Sequence, residues 1–67
     1  MILLNGEQSE LASGETLAAA LERLGVTTEQ RGVAVAVDGE VVPRAQWRSL
    51  VLSEHARVEV LSAMQGG

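Results

Sequence analysis

Residues 32–42 read GVAVAVDGEVV, two valine-rich runs on either side of an Asp38-Gly39 pair. Valine is β-branched and suits a pleated strand, while Asp-Gly tolerates the positive φ that both central positions of a tight hairpin turn demand. The stretch therefore predicts an antiparallel hairpin. Side chains alternate along a strand, so Val33, Val35 and Val37 share one face and Ala34 and Ala36 the other. A hairpin with a valine face must bury it, and the cover has to come from elsewhere in the chain.

Upstream, Met1 to Leu4 is a short apolar run closed by Asn5-Gly6, a second hairpin signal. A returning strand over about Glu7 to Leu11 follows. Next comes SGETLAAALERLG, residues 13–25, where Ser13 is placed to cap a helix, Glu15 to sit in its first turn and Gly25 to end it. Leu17, Leu21 and Leu24 fall on one stripe, with Glu22 and Arg23 facing water. This amphipathic helix is the cover that the valine face needs. Downstream, Pro43 ends the second hairpin, RAQWRSLVLSEHA is irregular or briefly helical, and RVEVLSAM supplies a last strand through Val58 and Val60. The register expected is Ile2, Leu4, Val33, Val35, Val37, Val58 and Val60 toward the helix. Two hairpins, one helix and a final strand make an α+β fold.

Composition limits what such a fold can do. A chain of 67 residues buries only about 60% of its unfolded surface and has no room for an enclosed active site. With no cysteine there is no disulfide and no thiolate chemistry, so a cytoplasmic location is expected. No apolar run approaches the roughly 18 residues a membrane span needs. A net charge of -4, with five basic residues against nine acidic ones, argues against nucleic acid and for a protein partner bearing a basic patch. All five basic residues are arginines (Arg23, Arg31, Arg44, Arg48 and Arg57). A chain that carries an activated acyl group gains from lacking both lysine and cysteine, although an Arg- and Ala-biased genome would give the same composition.

The sequence closes on SAMQGG. Gly66-Gly67 brings no side chains, so it offers a thread of backbone and one carboxylate. Together with AVAVDGEVVPRAQW and VEVLSAMQGG, it resembles the ThiS family of bacterial sulfur carriers in thiamine-thiazole biosynthesis. The likeness spans the whole chain and includes Asn5-Gly6, Ser13-Gly14, Val42-Pro43-Arg44 with Trp47, and the terminal glycines. One departure is His55-Ala56, where the family usually has a Gly-Asp turn.

The resemblance implies a ubiquitin-like β-grasp: a mixed sheet of four to five strands, the last strand central beside the first, covered on one face by the single helix. Residues 1–67 then form one carrier domain, with 62–67 as a flexible tail. It also implies a carrier rather than an enzyme. The Gly67 carboxylate would be adenylated by the adenylating enzyme ThiF, converted to a thiocarboxylate by a sulfur donor system, and presented to the thiazole synthase ThiG. ATP is used by the adenylating partner, and no cofactor is expected on the chain itself.

Gly66 and Gln65 are expected to be recognised with the tail. Leu3, Ala34, Ala36, Glu59 and Leu61, on the sheet face away from the helix, are the expected docking surface. His55 reads as a solvated turn residue, the glutamates at 7, 10, 15 and 22 as solvated faces, and Trp47 as a plug for a small core. Arg44 is open to two roles, pinning its loop or meeting an acidic partner. Carriers for molybdopterin or another metabolite, a ubiquitin-like modifier and an inert binding module remain alternatives.

Overall fold

Both expected hairpin turns form, with φ of 53° at Asn5 and 86° at Gly6, and 53° at Asp38 and 87° at Gly39. These are the left-handed pairs that a two-residue turn between twisted strands requires. The computed structural model describes residues 1–62. Within them the strands are β1 (Ile2–Leu4), β2 (Glu7–Ser9), β3 (Val33–Val37), β4 (Glu40–Val41) and β5 (Arg57–Ser62). They form one sheet in the order β2-β1-β5-β3-β4. β5 lies in the centre, parallel to β1 and antiparallel to β3. This is the mixed, helix-covered β-grasp sheet expected from the sequence.

Two strand bounds differ from expectation. β2 stops at Ser9, because the Glu10 carbonyl turns away to accept from Arg23 and Leu11 packs against the core. β5 holds its pairing as far as Ser62, opposite Val33, so the first residue of the expected tail still belongs to the ladder. The remainder of that tail, 63–67, lies outside the described residues.

The helix α1 (Leu17–Glu22) is shorter than its sequence pattern and is capped by Thr16 rather than Ser13. Gly14, at φ 72°, takes part in a turn in which Glu15 N–H donates to the Ala12 carbonyl, and this delays the helix by three residues. The Thr16 hydroxyl accepts from Ala19 N–H at 3.2 Å. Two further amides at the helix start donate to a neighbouring loop, Leu17 to the Leu50 carbonyl and Ala18 to the Trp47 carbonyl, each at 2.8 Å. Helix starts leave such donors unsatisfied, and here the 47–50 segment meets the need.

The helix ends in a Schellman arrangement: Val26 N–H donates to the Leu21 carbonyl and Gly25 N–H to the Glu22 carbonyl, with Gly25 at φ 79°. This reversal turns Leu24 out to 38% exposure and buries Val26 instead, correcting the stripe read from the sequence. Leu17, Ala20 and Leu21 then close over Ile2, Leu4, Val35 and Val58. Val33, Val37 and Val60 pack around this cluster, so the period-2 register holds on the helix side.

Trp47 is 1% exposed and closes one end of the core. Its indole N–H donates to the Val42 carbonyl at 3.0 Å, which satisfies the polar atom that burial would otherwise strand.

Candidate functional site

Among the described residues, nothing forms a layer over the face of the sheet away from α1. Register builds this face, since residues paired across strands project to the same side. Ala34 pairs with Leu61 and Ala36 with Glu59. Ala36 also pairs with Val41, and Leu3 with both Gln8 and Arg57. Ala34, Glu59 and Leu61 are exposed, and Leu3 and Ala36 are half-buried. All five residues expected on this face are therefore brought together on it. Leu61 is 66% exposed and Val41 74%, so the face presents large aliphatic groups to water beside the charges of Arg57 and Glu59.

Val41 was missed by sequence reading, although a signal for it existed. A two-residue turn at Asp38-Gly39 fixes Val37 opposite Glu40 and therefore Ala36 opposite Val41. Val41 thus belongs to the outward row, while Val42 next to it packs inward.

Side-chain caps hold the central strand that leads to the tail. The Asn5 Oδ1 accepts from Val60 N–H at 2.8 Å, and Asp38 Oδ1 accepts from Arg57 N–H at 3.0 Å. Both hairpin turns therefore bond to β5 as well as reversing their own chains. Gln65, Gly66 and Gly67 lie outside the described residues. The arrangement offers an open, partly aliphatic sheet face beside a β5 strand held by side-chain hydrogen bonds at Arg57 and Val60.

Elsewhere Glu15 and Glu54 act structurally. Glu15 is not a solvated residue: its side chain is 7% exposed and forms an ion pair with Arg23. Burial pushes its carboxyl up, but the Ala12 N–H and the Arg23 guanidinium outweigh this, and the result lies below the ordinary glutamate value. Glu54 is also held low, by its hydrogen bond from the Met1 ammonium group. Among the described residues no cluster of three or more His, Asp or Glu side chains could hold a metal. None of their helices is long and apolar enough to cross a membrane.

The ThiS family sequence model matches residues 2–67, a span that includes both terminal glycines. The chain belongs to the ThiS family. It is 30% identical over 66 residues to the sulfur carrier protein ThiS of Escherichia coli strain K12, covering 98% of this chain and 97% of that one. The crystal structure of the thiamine biosynthesis protein ThiS from Geobacter metallireducens superposes with a TM-score of 0.73 at 28% identity, covering 98% of this chain and 97% of that one. By family, then, this is a small sulfur carrier with the ubiquitin-like β-grasp fold. The ThiS-family turn that departs at His55-Ala56 keeps a left-handed residue, with His55 at φ 70°. Ala56 behind it is buried, and its carbonyl accepts from Leu3 N–H at 2.9 Å.

Proposed function

We propose that this chain carries sulfur for thiazole formation as a thiocarboxylate on Gly67. A terminal carboxylate has a pKa of roughly 3.5, so at neutral pH it is ionised and attacks the α-phosphate of ATP rather than being attacked itself. That step forms an acyl-adenylate and releases pyrophosphate. Sulfide released by the sulfur donor then adds to the Gly67 carbonyl carbon, AMP leaves with the electron pair of the broken C–O bond, and a thiocarboxylate remains. Its sulfur is the nucleophile offered to the thiazole synthase.

In this reading the adenylating partner is a ThiF enzyme, the receiving partner is ThiG, and the carrier works in the cytoplasm as a co-substrate with no catalytic side chain and no bound cofactor. Leu3, Ala34, Ala36, Glu59 and Leu61, with Val41 added, dock the partner. Gln65 and Gly66 are read by its channel, where glycine admits torsions and close approaches that a Cβ forbids. Residues 63–67, fully extended, reach about 17 Å beyond Ser62, enough to enter a neighbouring active site while the sheet face stays docked.

The observation that carries the proposal is the family match running through Gly66 and Gly67. Deleting Gly67 tests it. Pyrophosphate release with ThiF and ATP should be abolished while the fold is retained, and normal release from the truncated chain would rule the proposal out.

A further inference from the structure

Arg44 and Arg48 converge on one residue of the loop between α1 and β3. Arg44 Nη1 donates to the Thr28 carbonyl at 2.6 Å, and Arg48 Nη2 donates to the Thr28 hydroxyl at 2.8 Å. The Arg44 guanidinium also lies over the Trp47 ring, 4.7 Å from its centroid, a cation-π contact that fixes its plane. Since Trp47 is itself anchored by the Val42 carbonyl, the VPRAQWR segment holds two guanidinium groups in set positions on the surface.

Among the described residues neither arginine has a counter-ion. Among the described residues the ion pairs are Met1 with Glu54 and Arg23 with Glu15. Glu29 borders the same recess without pairing to either arginine. Two like charges are therefore held together, with no ion-pair partner among those residues, in a chain whose net charge is -4. A guanidinium has five N–H donors, and each arginine, exposed on the surface, spends only one of them on Thr28. Such forks match planar oxyanions, and ordering them in advance removes much of the entropy cost of binding.

We infer that Arg44 and Arg48 form a docking point for the carboxylates of an acidic segment on a protein partner. The recess bordered by Thr28, Glu29, Arg44, Ala45 and Arg48 is shallow and open. It cannot enclose a small metabolite, which needs most of its surface buried. Nucleic acid is disfavoured by the net charge. Asp or Glu side chains on a protein surface need only the exposed forks. The pair's position gives it a use. β3 starts at Val33, which faces Ser62, and the antiparallel β4 leads back toward that end before Arg44. The arginine pair thus stands at the end of the fold where β5 hands the chain on to 63–67, on the helix side of the sheet. A partner engaged there is held on a second surface besides the open sheet face.

The inference stands independently of whether Gly67 is loaded with sulfur, and so does its test. The full-length, nitrogen-15-labelled chain is titrated by NMR with an end-blocked hexaglutamate peptide, a hexaglutamine peptide and inorganic phosphate. Hexaglutamate should saturably shift the Trp47 indole N–H, the Thr28 amide and the Arg48 side-chain N–H, whereas hexaglutamine should not. Arg48→Gln, at an exposed position, should leave the rest of the spectrum in place and weaken hexaglutamate binding by about fivefold or more. No saturable shift, equal shifts at Arg23, Arg31 and Arg57, or a response to phosphate alone would each overturn it.

Discussion

Asn5 in the first hairpin turn accepts a hydrogen bond from the backbone of Val60 through its Oδ1 at 2.8 Å, fifty-five residues away in sequence. Its own N–H donates to the Val58 carbonyl at 2.8 Å. The short parallel ladder between β1 and β5 is thus prolonged by one side chain, on the strand that leads to the tail. Asn5 also holds φ at 53°, a value asparagine tolerates better than most residues.

Two substitutions separate these contributions. Asn5→Gly keeps the turn and loses the bond to Val60, at a cost of about 1 kcal/mol. Asn5→Ala loses the bond and also the short polar side chain that lets asparagine tolerate the left-handed region, for a total of about 2 to 3 kcal/mol. Urea unfolding measures both, and amide exchange at Val60 should quicken in each variant.

The pair formed by Glu15 and Arg23 makes acid sensitivity predictable. Because the folded-state pKa of Glu15 is lowered, its contribution to stability is fully present above the unfolded value of about 4.3 and is lost as pH falls through the lower, folded value. Glu15→Gln should therefore flatten the loss of stability below about pH 4.5. Arg23 is 37% exposed, so solvent screening limits the cost of this variant at neutral pH to about 1 to 2 kcal/mol. Thermal melts of both proteins from neutral to acid pH provide the comparison, and parallel curves would show that another group governs acid unfolding.

His55 pays a backbone cost at φ 70°. Glycine there relieves a strain of roughly 1 to 2 kcal/mol but adds freedom to the unfolded chain, leaving a net gain of up to about 1 kcal/mol. His55→Gly should raise Tm by a few degrees, about 4 to 8 °C per kcal/mol in a domain this small. His55→Val should lower it, since a β-branched residue resists the left-handed region. A Tm for the valine variant at or above wild type would show that the turn can relax.

What the sequence disclosed and what it hid divide along physical lines. Period-2 alternation is local, so both faces of β3 and β5 were readable, as were two turns whose Asn-Gly and Asp-Gly pairs admit few conformations. The helix ends were not. Ser13 looks as good a cap as Thr16 until the 47–50 loop supplies carbonyls to Leu17 and Ala18, contacts 33 and 29 residues apart in sequence that no local pattern announces. The exchange of Leu24 for Val26 follows from the reversal at Gly25, and Glu15 read as solvated because its partner lies eight residues on. The outward sheet face was legible from alternation, whereas the Thr28 anchor shared by Arg44 and Arg48 needed the folded chain.

The open sheet face should separate binding from folding. Leu61 is 66% exposed, so Leu61→Asp should change stability by less than about 0.5 kcal/mol. Its affinity for the adenylating partner should nevertheless fall, and Val41→Asp should behave the same way. Calorimetry beside thermal melts makes the distinction. A large drop in Tm for Leu61→Asp would show that this face supports the fold rather than the partner.

The glycine requirement calls for its own variant. Gly66→Val should retain the fold and much of the docking affinity yet stop loading, because a β-branched side chain stiffens and widens the thread. Single-turnover adenylation assays at saturating carrier would reveal a loss in rate with little change in binding. Equal rates would remove the argument for a narrow channel.

The central claim is that sulfur travels on the terminal carboxylate, and intact-protein mass spectrometry tests it most directly. Wild-type chain and a variant lacking Gly67 are each incubated with ThiF, ATP and a sulfur donor. The wild type should gain the mass of one oxygen exchanged for sulfur, located to Gly67 by fragmentation, and the truncated chain should gain nothing. A wild-type mass that never changes, or a modification placed on any residue other than Gly67, would contradict the account.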